Sequence, residues 1–311
     1  MSMRYQAGFI SAFYNPLKVP DAPTIGTATA ASSVSVSVTF TAPSNVGGGA
    51  ITSYIATARK TSDGTVTSTT GSSSPIVVTG LTASTAYTVT VVAVNSFGPS
   101  ASSAASNSVT TSEAPPTVIG QAYGGGYYAG QIGISSVATH YIIVAPVSSG
   151  QNTLAWKNAN TATPGADSVI NGPQNTLDML IDGSLTTYPS AHFCWDLVIG
   201  SYTDWYMPAK NELEVCYYNL KPTTEQNNTS YGINDNAVPA RASNYTTGTP
   251  AQTTATDFRS TGAEDFADSR YWASTEYSAT FAWSQTFGYG AQNYGSKTTS
   301  RQVRAIRRVA V

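Results

Sequence analysis

Two runs of strictly alternating residues constrain the fold of this 311-residue chain more than any other feature. The runs are SVSVSVTF (33–40) and AYTVTVVAVN (86–95), and Gly-, Ser-, Pro- and Asn-rich clusters separate them from shorter strand-like pieces. A period of two is typical of strands with one buried face, so the middle of the chain is predicted to be an all-β sandwich. The residues expected on its inward faces are Val34, Val36, Val38 and Phe40 in the first run and Tyr87, Val89, Val91 and Ala93 in the second.

Two proline-rich stretches divide the chain. KVPDAPT ends near Thr24 and SEAPPT covers residues 112–117, and both sequences disfavour helix and sheet pairing. The chain is therefore predicted to be multidomain. The expected parts are an N-terminal segment (1–19), a β-sandwich domain (20–112), a linker (113–119) and a C-terminal domain (120–311).

Composition excludes several classes of function. Charged residues make up 10% of the chain, against about 25% in an average globular protein, and the formal net charge is −2. This balance argues against a nucleic-acid partner. No apolar run approaches the roughly 20 residues of a membrane-spanning helix, so no membrane insertion is expected. The two cysteines are too few for a disulfide scaffold, which favours folding in a reducing cytosol.

The middle segment resembles a fibronectin type III domain along its whole length. The resemblance is carried by PDAPT, VSVTFTAPSNVGGGAITSYIATA and VTGLTASTAYTVTVVAVNSFGPSASSAA. It implies that Tyr87 in LTASTAY forms the tyrosine corner of the family, and that Phe40 takes the place of a core Trp. Such modules usually act as spacers or adhesive units, so no catalysis is expected here.

Local patterns in the C-terminal domain predict a mixed structure. A strand is expected at 140–147, and a helix at 175–183 with Asn175 as its N-cap and Gly183 as its stop. A second helix is expected at 189–200, with Pro189 in its first turn. Strand-like pieces follow at YWAST, FAWSQTFG and QVRAIRRV.

The stretch DWYMPAKNELEVCYYNL (204–220) raises the question of a reactive centre. Pro208 suits a first helical turn, and Pro222 ends the segment. Glu212 and Glu214 fall early in the helix, where its dipole favours negative charge. The apolar side chains recur at helical spacing, so Cys216 is interpreted as a core residue rather than a nucleophile. This apolar face consists of Ala209, Leu213, Cys216, Tyr217 and Leu220.

The C-terminal domain as a whole resembles the family of domains named for a collagen-like adhesin of Legionella, which also occurs in phage tail proteins. The motifs are Gly200, Trp205-Tyr206-Met207-Pro208, Asn211-Glu212-Leu213, Trp272-Ala273-Ser274-Thr275, Ala282-Trp283 and Val303-Arg304-Ala305-Ile306-Arg307. The family usually has Arg where this chain has Tyr206. This difference argues against one buried ion pair of the family in this chain, but not against the fold. The resemblance implies an α+β C-type-lectin-like domain, with the C-terminal arginines paired to carboxylates.

Together these resemblances imply a phage tail fibre or tail-tip protein, a virion component assembled in the host cytoplasm. Residues 1–19 would dock to other tail or baseplate proteins, and the C-terminal domain would bind a host glycan such as lipopolysaccharide. Fibres of this kind generally form homo-oligomers, including trimers, but no heptad or collagen repeat supports that here. The chain is predicted not to be an enzyme. The alternatives are a structural baseplate or decoration protein and a glycan-degrading enzyme.

Candidate metal and catalytic groups are sparse. His140 and His192 are the only histidines, and no cofactor or metal is predicted. The run GAEDFADSR (262–270) is interpreted as a solvated acidic loop, with Ca²⁺ as the alternative, because its spacing fits no EF-hand. A glycosidase would need paired carboxylates, for which Glu264 and Asp268 are the only nominees considered.

The candidate ligand-binding residues lie in loops rich in Tyr, Asn, Gly and Ser. Tyrosine offers rigid stacking area and amides offer adaptable hydrogen bonds, so aromatic faces could stack on sugar rings. Trp272 and Trp283 are assigned to the core instead. The predicted ligand-binding residues are Tyr277, Tyr289, Gln292, Asn293 and Tyr294.

Overall fold

The structure is a computed structural model that describes residues 18–311. The predicted attachment segment 1–19 therefore lies outside the described residues, except for its last two. The described chain is mostly β-sheet and falls into two compact units that meet between Ala114 and Pro115. No helix within residues 18–311 is long and apolar enough to cross a membrane.

The N-terminal unit is a two-sheet sandwich of antiparallel strands. One sheet has the order β1-β2-β5 and the other β4-β3-β6-β7, with β8 also paired to β6. The strands are β1 (Thr24–Ser32), β2 (Ser35–Thr41), β3 (Ser53–Lys60), β4 (Val66–Gly71), β5 (Ile76–Thr79), β6 (Ala86–Asn95), β7 (Gly98–Pro99) and β8 (Val109–Thr110).

The alternating runs form the core of this sandwich, with one correction. All four inward residues expected in β6 are buried, as are Val36, Val38 and Phe40 in β2. Val34 is 51% exposed because β2 begins one residue later, at Ser35, so Val34 lies in the preceding turn. The expected tyrosine corner is confirmed, since the backbone N–H of Thr82 donates to the Tyr87 hydroxyl at 3.0 Å.

Three serines, at every third position, lie along the edge of the sheet beside β6. The backbone N–H groups of Ser100, Ser103 and Ser106 donate to carbonyls of β6 at 2.8–2.9 Å. Their hydroxyls accept the N–H groups of the same β6 residues at 2.9–3.0 Å. Side chains thus take over half of the hydrogen bonds that a regular strand would make. The partners in β6 are Ala93, Val91 and Val89.

The C-terminal unit combines two sheets with short helices. One sheet has the order β17-β11-β10-β9 and the other β12-β16-β13-β14-β15. The strands are β9 (Ala122–Tyr123), β10 (Gly126–Ile134), β11 (Val137–Val144), β12 (Gln151–Ala155), β13 (Arg270–Glu276), β14 (Phe281–Thr286), β15 (Gln292–Ser296), β16 (Ser300–Arg304) and β17 (Ile306–Ala310). The helices are α1 (Val147–Gly150), α2 (Gly172–Asp182), α3 (Pro189–Trp195), α4 (Lys210–Leu220) and a 3₁₀ turn at Thr256–Phe258.

Helix α4 confirms the interpretation of 204–220 as a structural helix. It begins two residues after Pro208, and Cys216 is fully buried on its apolar face. The Glu212 carboxylate accepts the backbone N–H of Ala209 at 2.8 Å and so caps the helix start. Tyr206 is a neutral partner of the same carboxylate, since its hydroxyl donates to Glu212 at 2.5 Å.

The bounds of the two earlier helices differ from the prediction. α2 begins at Gly172, and Asn171 is its N-cap, with its side chain accepting the N–H of Gln174. Asn175 instead lies inside the helix, buried and bonded to Ser168. Gly183 is the C-cap, as expected. α3 ends at Trp195, earlier than the expected 200.

The C-terminal arginines pair with carboxylates, as the resemblance implies. Arg304 meets Glu264 at 2.8 Å and Arg307 meets Asp204 at 2.7 Å, while Arg308 meets Glu212 at 2.6 Å. The expectation of a solvated acidic loop at 262–270 is wrong for Glu264. This residue is only 9% exposed and also accepts the N–H of Val147, so it serves the fold rather than a surface.

Candidate ligand-binding surface

The surface is built at one end of the three strands β13, β14 and β15. A tight turn joins β13 to β14, and the N–H groups of Tyr277 and Ser278 both donate to the Phe281 carbonyl at 3.0 Å. β14 and β15 pair antiparallel, with Trp283 directly opposite Tyr294. Directly opposed residues on adjacent strands have their side chains in contact, so the register brings these two rings together.

Four aromatic side chains form one cluster here, which we call the aromatic patch: Tyr277, Phe281, Trp283 and Tyr294. Tyr277 and Tyr294 stack with ring centroids 4.0 Å apart and planes 3° from parallel. Trp283 meets Tyr277 edge-on at 5.1 Å, and Phe281 meets Tyr294 at 5.4 Å. Tyr277, Tyr294 and Phe281 remain 48%, 45% and 37% exposed, so the packed rings still present apolar area to solvent.

Lys210, the first residue of α4, lies against this patch. Its ammonium is 4.4 Å from the centroid of the Trp283 ring, within the range of a cation–π interaction. Its backbone N–H donates to the Thr275 hydroxyl at 2.9 Å, which ties the helix start to β13. Burial lowers the pKa of the Lys210 ammonium, and Glu214 acts in the opposite direction.

A buried ion pair holds the turn behind the patch. Lys297 is fully buried and meets Glu276 at 2.6 Å. Glu276 also accepts the backbone N–H of Thr163 at 3.0 Å, and the N–H of Lys297 donates to the Thr280 carbonyl at 3.2 Å. The two residues flank the aromatic patch in sequence, so their pairing fixes both ends of the segment that carries it.

The structure brings together two of the five predicted ligand-binding residues, Tyr277 and Tyr294. Asn293 is half-buried next to Tyr294 in β15. Gln292 is only 6% exposed, and its side-chain N–H₂ has no hydrogen-bond partner among the described residues. Tyr289 is exposed in the turn between β14 and β15, at the opposite end of the hairpin, beside Asn228.

Sequence reasoning missed three members of this surface. Phe281 closes the turn EYSATF (276–281), which contains the predicted Tyr277, but Phe281 itself is not among the predicted residues. Trp283 was assigned to the core and is instead half-buried, packed on the core with its ring edge in the patch. The alternation of β14 could have placed both on one face. No local signal connects Lys210 to them.

A second concavity lies beside the other end of α4, with a volume of about 230 Å³. Arg241 stacks on Tyr218 at 3.9 Å and pairs with the buried Glu214. Tyr245 donates to the same carboxylate at 2.6 Å. Burial raises the pKa of Glu214, and Arg241 opposes this shift. The rim includes Ser243, Asn244, Thr246 and Thr249.

The His, Cys, Asp and Glu side chains of the described residues lie apart, and both cysteines are buried. Within residues 18–311, no three His, Cys, Asp or Glu side chains are grouped so as to hold a metal ion. Both cysteines are buried, and burial raises the pKa of each thiol well above its usual range. A raised pKa keeps a thiol protonated and unreactive at neutral pH.

Comparison with known proteins identifies the N-terminal unit. Residues 21–109 match the family model described as fibronectin type III domain, so this segment is such a domain. No curated protein matches the chain.

Three solved structures are each similar to about 30% of this chain. Domains A168–A170 of titin are 32% identical, over 30% of this chain and 33% of that one, with a TM-score of 0.28. The FN5 domain of Drosophila Lar is 27% identical, over 31% of this chain and 100% of that one, with a TM-score of 0.26. Titin module A71 from human cardiac muscle is 28% identical, over 29% and 88%, with a TM-score of 0.24.

Proposed function

We propose that this chain is a phage tail fibre or tail-tip protein, and that its C-terminal unit attaches the virion to a glycan on the host surface. The aromatic patch is the observation that carries the proposal. Three exposed rings in fixed geometry offer rigid apolar area at little entropic cost, which suits stacking against the C–H faces of sugars. A contiguous group of exposed aromatic rings is typical of an interaction site.

The other parts of the chain fit the same role. The fibronectin type III domain serves as a spacer that carries the C-terminal unit away from the virion. The C-terminal motifs, including Asn211-Glu212-Leu213 and Ala282-Trp283, support a C-type-lectin-like binding domain. Residues 1–19 are proposed to dock to other tail proteins. Binding at one patch would be weak, and several copies on one virion would raise it through avidity.

The test uses the full chain and intact candidate host cells, with and without removal of their surface polysaccharide. We expect saturable binding that is lost on removal of the polysaccharide. The double substitution Tyr277→Ala/Tyr294→Ala removes both stacking rings and should weaken binding at least tenfold. For comparison, a nucleobase that stacks on one aromatic side chain gains about 1–3 kcal/mol. Tyr289→Ala is the matched control, because Tyr289 is exposed on the same hairpin but outside the patch.

Three other outcomes would each favour a different site or function. Equal loss in the Tyr289→Ala variant would move the site to the other end of the hairpin. Release of soluble sugar during incubation would indicate a glycan-degrading enzyme. Failure to bind any host, with normal assembly into particles, would contradict the proposal and favour a structural baseplate or decoration protein.

A further inference from the structure

Lys210 is one of five basic side chains within residues 115–311 that pair with no carboxylate. It occupies the first position of α4, where the helix dipole disfavours positive charge. No carboxylate of the described residues lies within ion-pair distance of its ammonium. The acidic residue four positions later on the helix, Glu214, is fully buried and already bonded to Arg241, Tyr245 and Asn234.

Most other basic side chains of the C-terminal unit are neutralised. Lys297 pairs with Glu276, and Lys157 lies 3.3 Å from Asp182. The arginines at positions 241, 304, 307 and 308 each meet a carboxylate. Lys210 is half-buried, and its ammonium makes no hydrogen bond to residues 18–311. It is therefore available to an outside anion.

The position of this ammonium gives it a role at the aromatic patch. The Trp283 ring contacts Lys210 on one side and Tyr277 on another. One short oligosaccharide could therefore touch the stacked tyrosines and the ammonium together. Partial desolvation of the ammonium strengthens its interaction with an anion, because fewer water molecules compete.

We propose that Lys210 makes the aromatic patch selective for acidic sugars. A sugar ring stacks on an exposed tyrosine, and a carboxylate or phosphate substituent pairs with the ammonium. This inference deepens the proposed function and depends on the same site. It adds a chemical class of ligand, namely glycans that carry anionic groups.

The test measures binding of the full chain to two matched pairs of polymers. Polygalacturonate is compared with its methyl ester, and phosphomannan with dephosphorylated mannan, so that each pair differs only in charge. We expect the wild-type protein to prefer at least one acidic polymer and to bind it less tightly as salt rises. Lys210→Met should weaken binding to that polymer about tenfold and leave its neutral partner unaffected. Lys210→Arg should restore most of the affinity.

Lys18→Met is the control, since it removes an exposed lysine of the other unit. It should leave binding to all four polymers unchanged. Thermal unfolding of each variant shows that the fold is retained. The carboxylate and phosphate arms identify which anion the site takes.

Two results would overturn the inference. One is equal binding of the acidic and neutral polymers, with no effect of Lys210→Met. The other is absence of binding to both acidic polymers. Neither result decides the proposed function, which the cell-binding experiment tests separately through the two patch tyrosines.

Discussion

Single buried charges organise the C-terminal unit at the scale of the residue. Lys297 is fully buried, and its ammonium lies 4.8 Å from the Trp156 ring centroid as well as beside Glu276. Burial lowers the pKa of Lys297, and Glu276 acts in the opposite direction. Removing one member of such a pair leaves an uncompensated charge in a medium of low dielectric, which is far more costly than losing a surface contact.

We therefore expect Lys297→Met to lower the free energy of unfolding of the C-terminal unit by about 3–5 kcal/mol. Adding Glu276→Gln should recover part of this loss, because the amide stays an acceptor for Thr163 and carries no charge. Tryptophan fluorescence during urea unfolding measures the free energy of unfolding of this unit, since all five Trp lie between residues 115 and 311. A double variant as unstable as the single one would contradict this explanation.

At the scale of the element, the serine repeat beside β6 contributes to the stability of the fibronectin type III domain. Each hydroxyl accepts a backbone N–H of β6, and Ser100, Ser103 and Ser106 are themselves nearly buried. The spacing of three along this segment matches a spacing of two along β6, so successive serines meet Ala93, Val91 and Val89. The repeat therefore satisfies the edge of the sheet without a regular strand.

Ser103→Ala should leave the Val91 N–H without its partner and lower the stability of the fibronectin type III domain by about 1–3 kcal/mol. Ser102→Ala is the matched control, since Ser102 is exposed and its neighbour makes the contact. Calorimetry of the full chain measures the change in stability. The transition of this domain is the one at which tryptophan fluorescence, followed in parallel, does not change. Equal effects of both substitutions would show that the hydroxyl contact contributes nothing specific.

Buried tyrosines link the stability of the whole C-terminal unit to alkaline pH. Burial raises the pKa of Tyr271 to about 12, and it raises the pKa of Tyr206 and Tyr245 well above the ordinary value. In the unfolded chain these hydroxyls lose their protons near pH 10. The folded unit thus holds protons that the unfolded chain releases, so this contribution to stability is complete below pH 10 and disappears as pH rises towards 12.

We expect the unfolding temperature of the C-terminal unit to fall between pH 10 and 12, with each buried tyrosine contributing at most about 1.4 kcal/mol per pH unit. Tryptophan fluorescence follows unfolding, and tyrosinate absorbance follows ionisation in the same samples. Tyr271→Phe should make the dependence on pH shallower. Full tyrosine ionisation near pH 10 without unfolding would contradict the burial argument.

Elements with local signals can be predicted from the amino-acid sequence. Alternation identified the inward faces of β2 and β6, and the spacing around Cys216 identified α4 and the burial of that thiol. These patterns work because side-chain direction repeats every two residues in a strand and every 3.6 in a helix. The start of α2 was less well predicted, because Asn171 and Asn175 are equally suitable N-caps. Tertiary contacts determine which of them caps the helix.

Contacts between side chains that are distant in sequence depend on the folded structure. Glu264 belongs to a polar run, yet it is buried because Arg304, 40 positions away, needs a carboxylate there. The aromatic patch depends on the register that sets Trp283 opposite Tyr294, and Lys210 reaches it from a separate helix. Such contacts arise from sheet register and helix packing, which no local period specifies. The fold therefore brings Tyr277 and Tyr294 into one site and leaves Tyr289 outside it.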